Sequence, residues 1–160
     1  MFEKLAIIGT VGAGLMIGLM WPATRHNQSR AGDFSKADTV IARSSDLHYY
    51  ADAQVNGRAL HFMIDTGASD IALTEADAKA AGIQVDPDQY EVIGDGASGI
   101  VRGQYVKLRT LELGGLRQQD VKAVVVPGAS VSLLGQPFLD KVDEIVIRDG
   151  EMILKNRVGS

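Results

Sequence analysis

Residues 62–69 read Phe62-Met63-Ile64-Asp65-Thr66-Gly67-Ala68-Ser69, and this stretch decides the fold. Three apolar residues deliver an aspartate to the end of a strand, so its carboxyl group meets a partly apolar setting in which it can share a proton. Thr66 brings a hydroxyl that can hydrogen-bond main chain and stiffen the loop. Gly67 lets the backbone turn sharply and approach a second copy of itself. These are the needs of chemistry in which two carboxylates share one proton. The pentad from Asp65 to Ser69 occurs once, so one chain supplies one carboxylate of such a pair.

Outward from the pentad the chain is a succession of short strands and turns. Residues 49–55 and 59–64 flank Asn56-Gly57, the signature of a tight hairpin. Residues 70–73 read as another short strand. Thr74 then stands as the N-cap of a helix, with Asp77 in capping-box position and Gly82 placed to end it. Further strands are expected at 90–93, 100–113 and 121–126, the last two joined through Gly114-Gly115. Pro137 suits the first position of a short helix over 136–141. Residues 144–147 and 151–154 close the chain as a hairpin turning at Asp149-Gly150. The pattern over residues 39–160 implies an all-β chain, a small closed barrel with one or two short helices.

Composition narrows the function classes. At 160 residues and 46% hydrophobic the chain can bury a core, and 18 glycines fit a turn-rich architecture. A formal charge of −4 offers no basic stripe, which argues against nucleic acid as a partner. Cysteine is absent, and the three histidines (His26, His48, His61) are too scattered to suggest a metal cluster. Neither a metal nor a cofactor is expected.

Residues 94–99 spell a literal G-x-G-x-x-G, but a dinucleotide site needs a helix directly afterwards. The next residues are Ile100-Val101-Arg102-Gly103-Gln104-Tyr105-Val106, a strand-forming run. Gly94, Asp95, Gly96 and Ala97 therefore read as a hairpin flap that contacts substrate. Asp95-Gly96-Ala97-Ser98 echoes the pentad without its hydroxyl residue or its apolar approach, so it is no second half-site. Ser69 and Ser98 do not complete G-x-S-x-G. Glu75, Asp77 and Lys79 read as a solvated helix face, and His61 as a residue on the sheet surface.

The N-terminal region carries a separate message. Residues 5–24, LAIIGTVGAGLMIGLMWPAT, hold no charge; as a helix they would span about 30 Å, the hydrocarbon core of a bilayer. Trp21 stands where an interfacial anchor belongs, and Arg25 marks the return to water. Pro22-Ala23-Thr24 matches a signal cleavage site poorly, so residues 1–24 are expected to form a retained transmembrane helix, with a signal sequence as the alternative. Gly14 and Gly18 form a GxxxG pair within it. Residues 25–38 are polar and aperiodic and read as a tether; residues 39–160 form the globular domain. Arg25, Arg30 and Lys36 against Lys4 tilt the charge count towards a cytoplasmic domain.

On these residues the chain resembles the retropepsin-like aspartic proteases. Residues 62–69 look like that family's active-site loop. Val131-Ser132-Leu133-Leu134-Gly135-Gln136-Pro137-Phe138-Leu139 resembles its second signature, a hydrophobic pair and glycine leading into a short helix. About seventy residues separate the two, with a glycine-rich hairpin midway. With the apolar N-terminal span, the chain looks most like the single-pass, membrane-anchored bacterial members.

The resemblance implies a retropepsin-like barrel over residues 47–156. It implies hydrolysis of peptide bonds by a water activated between two aspartates, Asp65 from each chain of a homodimer. Thr66 would brace the opposite loop across that dimer. Expected partners are a peptide or protein substrate, a second copy, and the membrane through the N-terminal helix, with the domain on the extracytoplasmic (periplasmic) side as the family is exported. The alternative is the same fold kept as a non-catalytic dimerisation or peptide-binding module.

Overall fold

Six strands close into a ring because alternate side chains along the longer of them are apolar and need a shared interior. The computed structural model describes residues 38–96 and 99–156. Its strands are β1 (Thr39–Ala42), β2 (Tyr50–Val55), β3 (Arg58–Ile64), β4 (Ala72–Leu73) and β5 (Glu91–Gly96). They continue as β6 (Gly99–Leu113), β7 (Leu116–Val125), β8 (Ser132–Leu134), β9 (Glu144–Arg148) and β10 (Glu151–Lys155). Helix α1 (Glu75–Ala80) follows β4, a 3-10 turn covers Pro87–Gln89, and α2 (Gln136–Leu139) follows β8.

The ring runs β2-β3-β8-β4-β7-β6 and closes where β6 returns to β2, Gln54 facing Glu112 and Val55 facing Leu111. Alternation sets the interior: Ala53, Val55, Leu60, Phe62 and Ile64 are buried while Gln54, Ala59 and His61 face out. Phe62, Leu73, Leu108, Leu111 and Leu134 are fully buried at its centre. The Asn56-Gly57 hairpin has both residues at positive φ, 52° and 84°, as a two-residue turn with the twist of its flanking strands requires. A second, three-stranded sheet, β1-β10-β9, is wholly antiparallel and adds Ile41, Met152 and Leu154 to the core.

The expected hairpins and the closed barrel are present, several element boundaries differ, and β1 is an addition. β7 begins at Leu116 and not at 121; the polar run Arg117-Gln118-Gln119 pairs with the end of β6 but shows water one face, so hydrophobicity does not mark it. β5 runs on to Gly96, past the expected end at 93. α2 ends at Leu139 and not at 141, because the chain turns to bury Val142. β1 carries one buried side chain, Ile41, in four residues, too short a signal to read in advance. A four-residue helix has no stability of its own. Burial of Phe138 and Leu139, at about 1.5–3 kcal/mol each, holds α2 against the barrel.

The expected transmembrane helix at 1–24, and all of the tether but residue 38, lie outside the described residues. Among the described residues no helix is long and apolar enough to cross a membrane.

Candidate active site

The pentad is placed by one topological feature. β8 lies between β3 and β4, parallel to the first and antiparallel to the second. The segment joining β3 to β4 must therefore pass over the end of β8, and that segment is residues 65–71. Asp65 continues the β3–β8 ladder, its N–H donating to the Leu134 carbonyl at 3.2 Å. Where β8 ends, the chain passes directly beneath the loop. The Gln136 N–H donates to the Ala68 carbonyl at 2.9 Å. A methyl group added to Gly135 would collide with the Asp70 carbonyl oxygen and lie 2.6 Å from the Ala68 carbonyl oxygen. Glycine at 135 is thus a condition for the two signature segments to touch.

Asp65 is half-buried. Its Oδ1 accepts a hydrogen bond from the Gly67 N–H at 2.8 Å, and its carbonyl accepts one from the Ala68 N–H at 3.2 Å. The carboxyl group is therefore oriented by its own loop, with Oδ2 left without a protein partner among the described residues. Thr66 and Ser69 are exposed, Ala68 is half-buried, and the Thr66 carbonyl accepts the Gln136 side-chain amide at 2.6 Å.

Beside the loop lies an apolar cleft of about 300 Å³. Gly67, Ala68, Ser69 and Asp70 form its floor; Ala72, Val124, Val131 and Leu133 form its wall. Ile93, Gly94 and Val101, from the β5–β6 hairpin, lie along the opposite side. Of the residues expected to form a flap, Gly94, Asp95 and Gly96 belong to this hairpin. Gly103 lets its base close on the barrel, since a methyl group there would lie 2.6 Å from the Val125 carbonyl oxygen and 2.9 Å from the Val124 side chain. Asp95 and Gly96 fall at the end of β5, Gly96 opposite Gly99; Ala97 lies outside the described residues. The fold thus brings the loop, the cleft and Gly94 together.

Two sites were legible only in part. Thr74 caps α1 as expected, accepting from the Asp77 N–H at 3.0 Å. Asp77 is no solvated residue, however: the hydroxyl of Ser132, the one fully buried polar side chain among the described residues, donates to its carboxylate. Ser132 in turn accepts from the Thr74 N–H at 3.1 Å. The reciprocal half of the capping box is relayed through β8, which ties α1 to the strand under the active-site loop. Glu75 is likewise engaged, accepting from the Tyr90 hydroxyl at 2.6 Å. That bond pushes the Tyr90 phenol up to about 12. A serine in the strand run Val131-Ser132-Leu133-Leu134 was the available signal for the first contact; nothing local marks the second. Among the described residues no group of three or more histidine, aspartate or glutamate side chains is placed to hold a metal ion.

Comparison with known proteins agrees with this geometry. The model of a family described as "gag-polyprotein putative aspartyl protease" matches residues 51–141. A retropepsin-like aspartic protease from Rickettsia conorii has a similar structure, at a TM-score of 0.61 and 32% identity, covering 73% of this chain and 88% of that one. The EIAV protease, solved with the inhibitor HBY-793, shares the fold at a TM-score of 0.51 and 19% identity, covering 62% and 92% respectively. An uncharacterized protein of Rickettsia prowazekii (strain Madrid E) is 34% identical over 120 residues, 74% of this chain and 51% of that protein. An uncharacterized protein from the cobV 5′ region of a Sinorhizobium species is 28% identical over 121 residues, 74% of this chain and 52% of that protein. The chain spans about half the length of these curated relatives.

Proposed function

Because the chain belongs to the gag-polyprotein aspartyl protease family and has a retropepsin-like fold, we propose that it is an aspartic endopeptidase completed by a second copy of itself. The observation that carries the reading is the position of Asp65: one carboxylate, oriented by Gly67, in the loop whose next residues, Gly67 to Asp70, line an apolar cleft shared with the β5–β6 hairpin. Two such loops meeting at a two-fold axis supply the two carboxylates from one sequence. In the reaction one carboxylate takes a proton from water as it attacks the peptide carbonyl, while the other donates a proton to the carbonyl oxygen. Collapse of the tetrahedral intermediate breaks the C–N bond and returns a proton to the leaving amine.

The cleft walls suit an aliphatic side chain of an extended peptide, and the β5–β6 hairpin, with Gly94, Asp95 and Gly96 in its first strand, acts as the flap that closes over the peptide backbone and excludes water. Thr66 braces the partner's loop. Residues 1–24 anchor the protein in a membrane and hold the domain on the extracytoplasmic side; confinement there raises the effective concentration of chains. The test is cleavage of a diverse peptide library by the full chain beside Asp65→Asn, from about pH 4 to 7. Cleavage by the parent alone supports the enzyme. No cleavage from a protein shown to be dimeric assigns it to peptide docking, and equal cleavage by both proteins removes Asp65 from the mechanism.

A further inference from the structure

Among the described residues four besides glycine adopt positive φ: Leu47, Asn56, Asp120 and Asp149. Asparagine and aspartate tolerate that region because their short polar side chains bond locally. Leucine does not, and a bulky residue there is strained. Leu47 sits at φ 71° with 71% of its surface exposed, so burial among the described residues does not offset the strain.

Its hairpin is braced by hydrogen bonds. The Leu47 N–H donates to the Ser44 carbonyl at 3.0 Å, and the Ser44 N–H to the His48 carbonyl at 2.8 Å. Asp46 accepts from the His48 N–H at 3.1 Å and from the Tyr50 hydroxyl at 2.7 Å. The Tyr50 ring stacks on His61, centroids 5.3 Å apart and planes 5° from parallel, and His61 bonds Asp52 at 2.7 Å. Below the hairpin, the Arg43 guanidinium lies over the Tyr49 ring. An apolar side chain on a braced, strained turn has the character of a binding anchor, since little freedom remains to be lost on contact.

Its position selects the occupant. The Tyr49 carbonyl accepts the Ile64 N–H at 2.9 Å, which sets the hairpin beside the residue preceding Asp65. A two-fold axis that brings two Asp65 carboxylates together brings the same surface around them from both chains. We infer that Leu47 is the anchor by which a second copy of this chain docks beside the Asp65 loop. The inference rests on the two-chain reading of the active site.

The test is sedimentation equilibrium of the full chain in a neutral detergent, comparing the parent with Leu47→Gly, Leu47→Asp, Leu47→Met and Asp149→Gly. Leu47→Gly removes the strain and the anchor together. It should leave the melting temperature of dilute monomer equal or higher, yet raise the dimer dissociation constant at least about tenfold. Leu47→Asp should weaken the dimer at least as much, and Leu47→Met should restore it. Asp149→Gly, which relieves positive φ at another exposed turn, should leave the dimer unchanged. Dimer constants within about twofold of the parent for both Leu47→Gly and Leu47→Asp would overturn the anchor while leaving the protease reading intact. A parent that stays monomeric at all concentrations would overturn both.

Discussion

Gln136 donates its side-chain amide to the main-chain carbonyl of Thr66 at 2.6 Å, across 70 residues of sequence. The first residue of α2 thus holds the second residue of the pentad, while its own N–H holds Ala68. Gln136→Ala should keep the fold and lower kcat by roughly tenfold, the effect of about 1.4 kcal/mol lost from positioning. Gln136→Glu, which cannot donate to a carbonyl at neutral pH, should fall at least as far. Steady-state kinetics beside thermal melts would check this; unchanged kcat in both variants would show that the bond does not position the loop.

Gly135→Ala is expected to be among the most damaging single methyl additions in the chain. The new carbon would meet the main-chain carbonyls of Asp70 and Ala68, and backbone cannot swing aside as a flexible side chain can. A loss of roughly 1–3 kcal/mol or more is expected, as for overpacking of a close-packed site. Urea unfolding should show a lower midpoint, and the shifted loop should depress activity beyond the unfolded fraction. A variant as stable and active as the parent would mean the two signature segments are not in contact.

Ser132→Ala should destabilise the domain by about 1–3 kcal/mol, because it strands the Thr74 N–H and the Asp77 carboxylate together. The denaturant midpoint should fall with the slope unchanged. Ser132→Ala combined with Asp77→Ala should cost less than the sum of the two single changes, since both remove one network. Strict additivity would contradict the relay.

Tyr90 gives a prediction in pH. Its hydroxyl donates to Glu75, so the neutral phenol is favoured in the folded chain and its value rises from 10.0 to about 12. A folded value above the unfolded one means that the stabilisation is fully present below pH 10 and is lost as pH climbs through about 12. Tyrosinate absorbance should show a step near 12 that Tyr90→Phe removes and Glu75→Gln moves back towards 10. A Tyr90 step near 10 in the parent would contradict the bond.

Much of this was legible in the sequence because its signals are local. Alternation in 59–64, the Asn56-Gly57 turn and the unique Asp65-Thr66-Gly67 each speak within a few residues, and together they give the hairpin, the barrel and the candidate aspartate. The Thr74 cap and Gly82, at φ 71°, bound α1 in the same way. What was missed depends on pairing at a distance. Asp77 read as solvent-facing because helix periodicity cannot show Ser132, 55 residues away. β7 began early because a strand with one wet face needs only a partner, which β6 provides. The φ of Leu47 has no local signal either, since leucine is a poor choice for that turn and its placement is imposed by the strands on both sides.

The central claim is that the active site takes one Asp65 from each of two chains. Co-equilibrating parent with Asp65→Asn at constant total chain tests it most directly, with the parent fraction varied from none to all. If the dyad is shared, peptide cleavage should follow the square of the parent fraction, so an equal mixture retains about a quarter of full activity. Cleavage that falls only in proportion, to about half in the equal mixture, would show that a single chain carries out the reaction and would contradict the account.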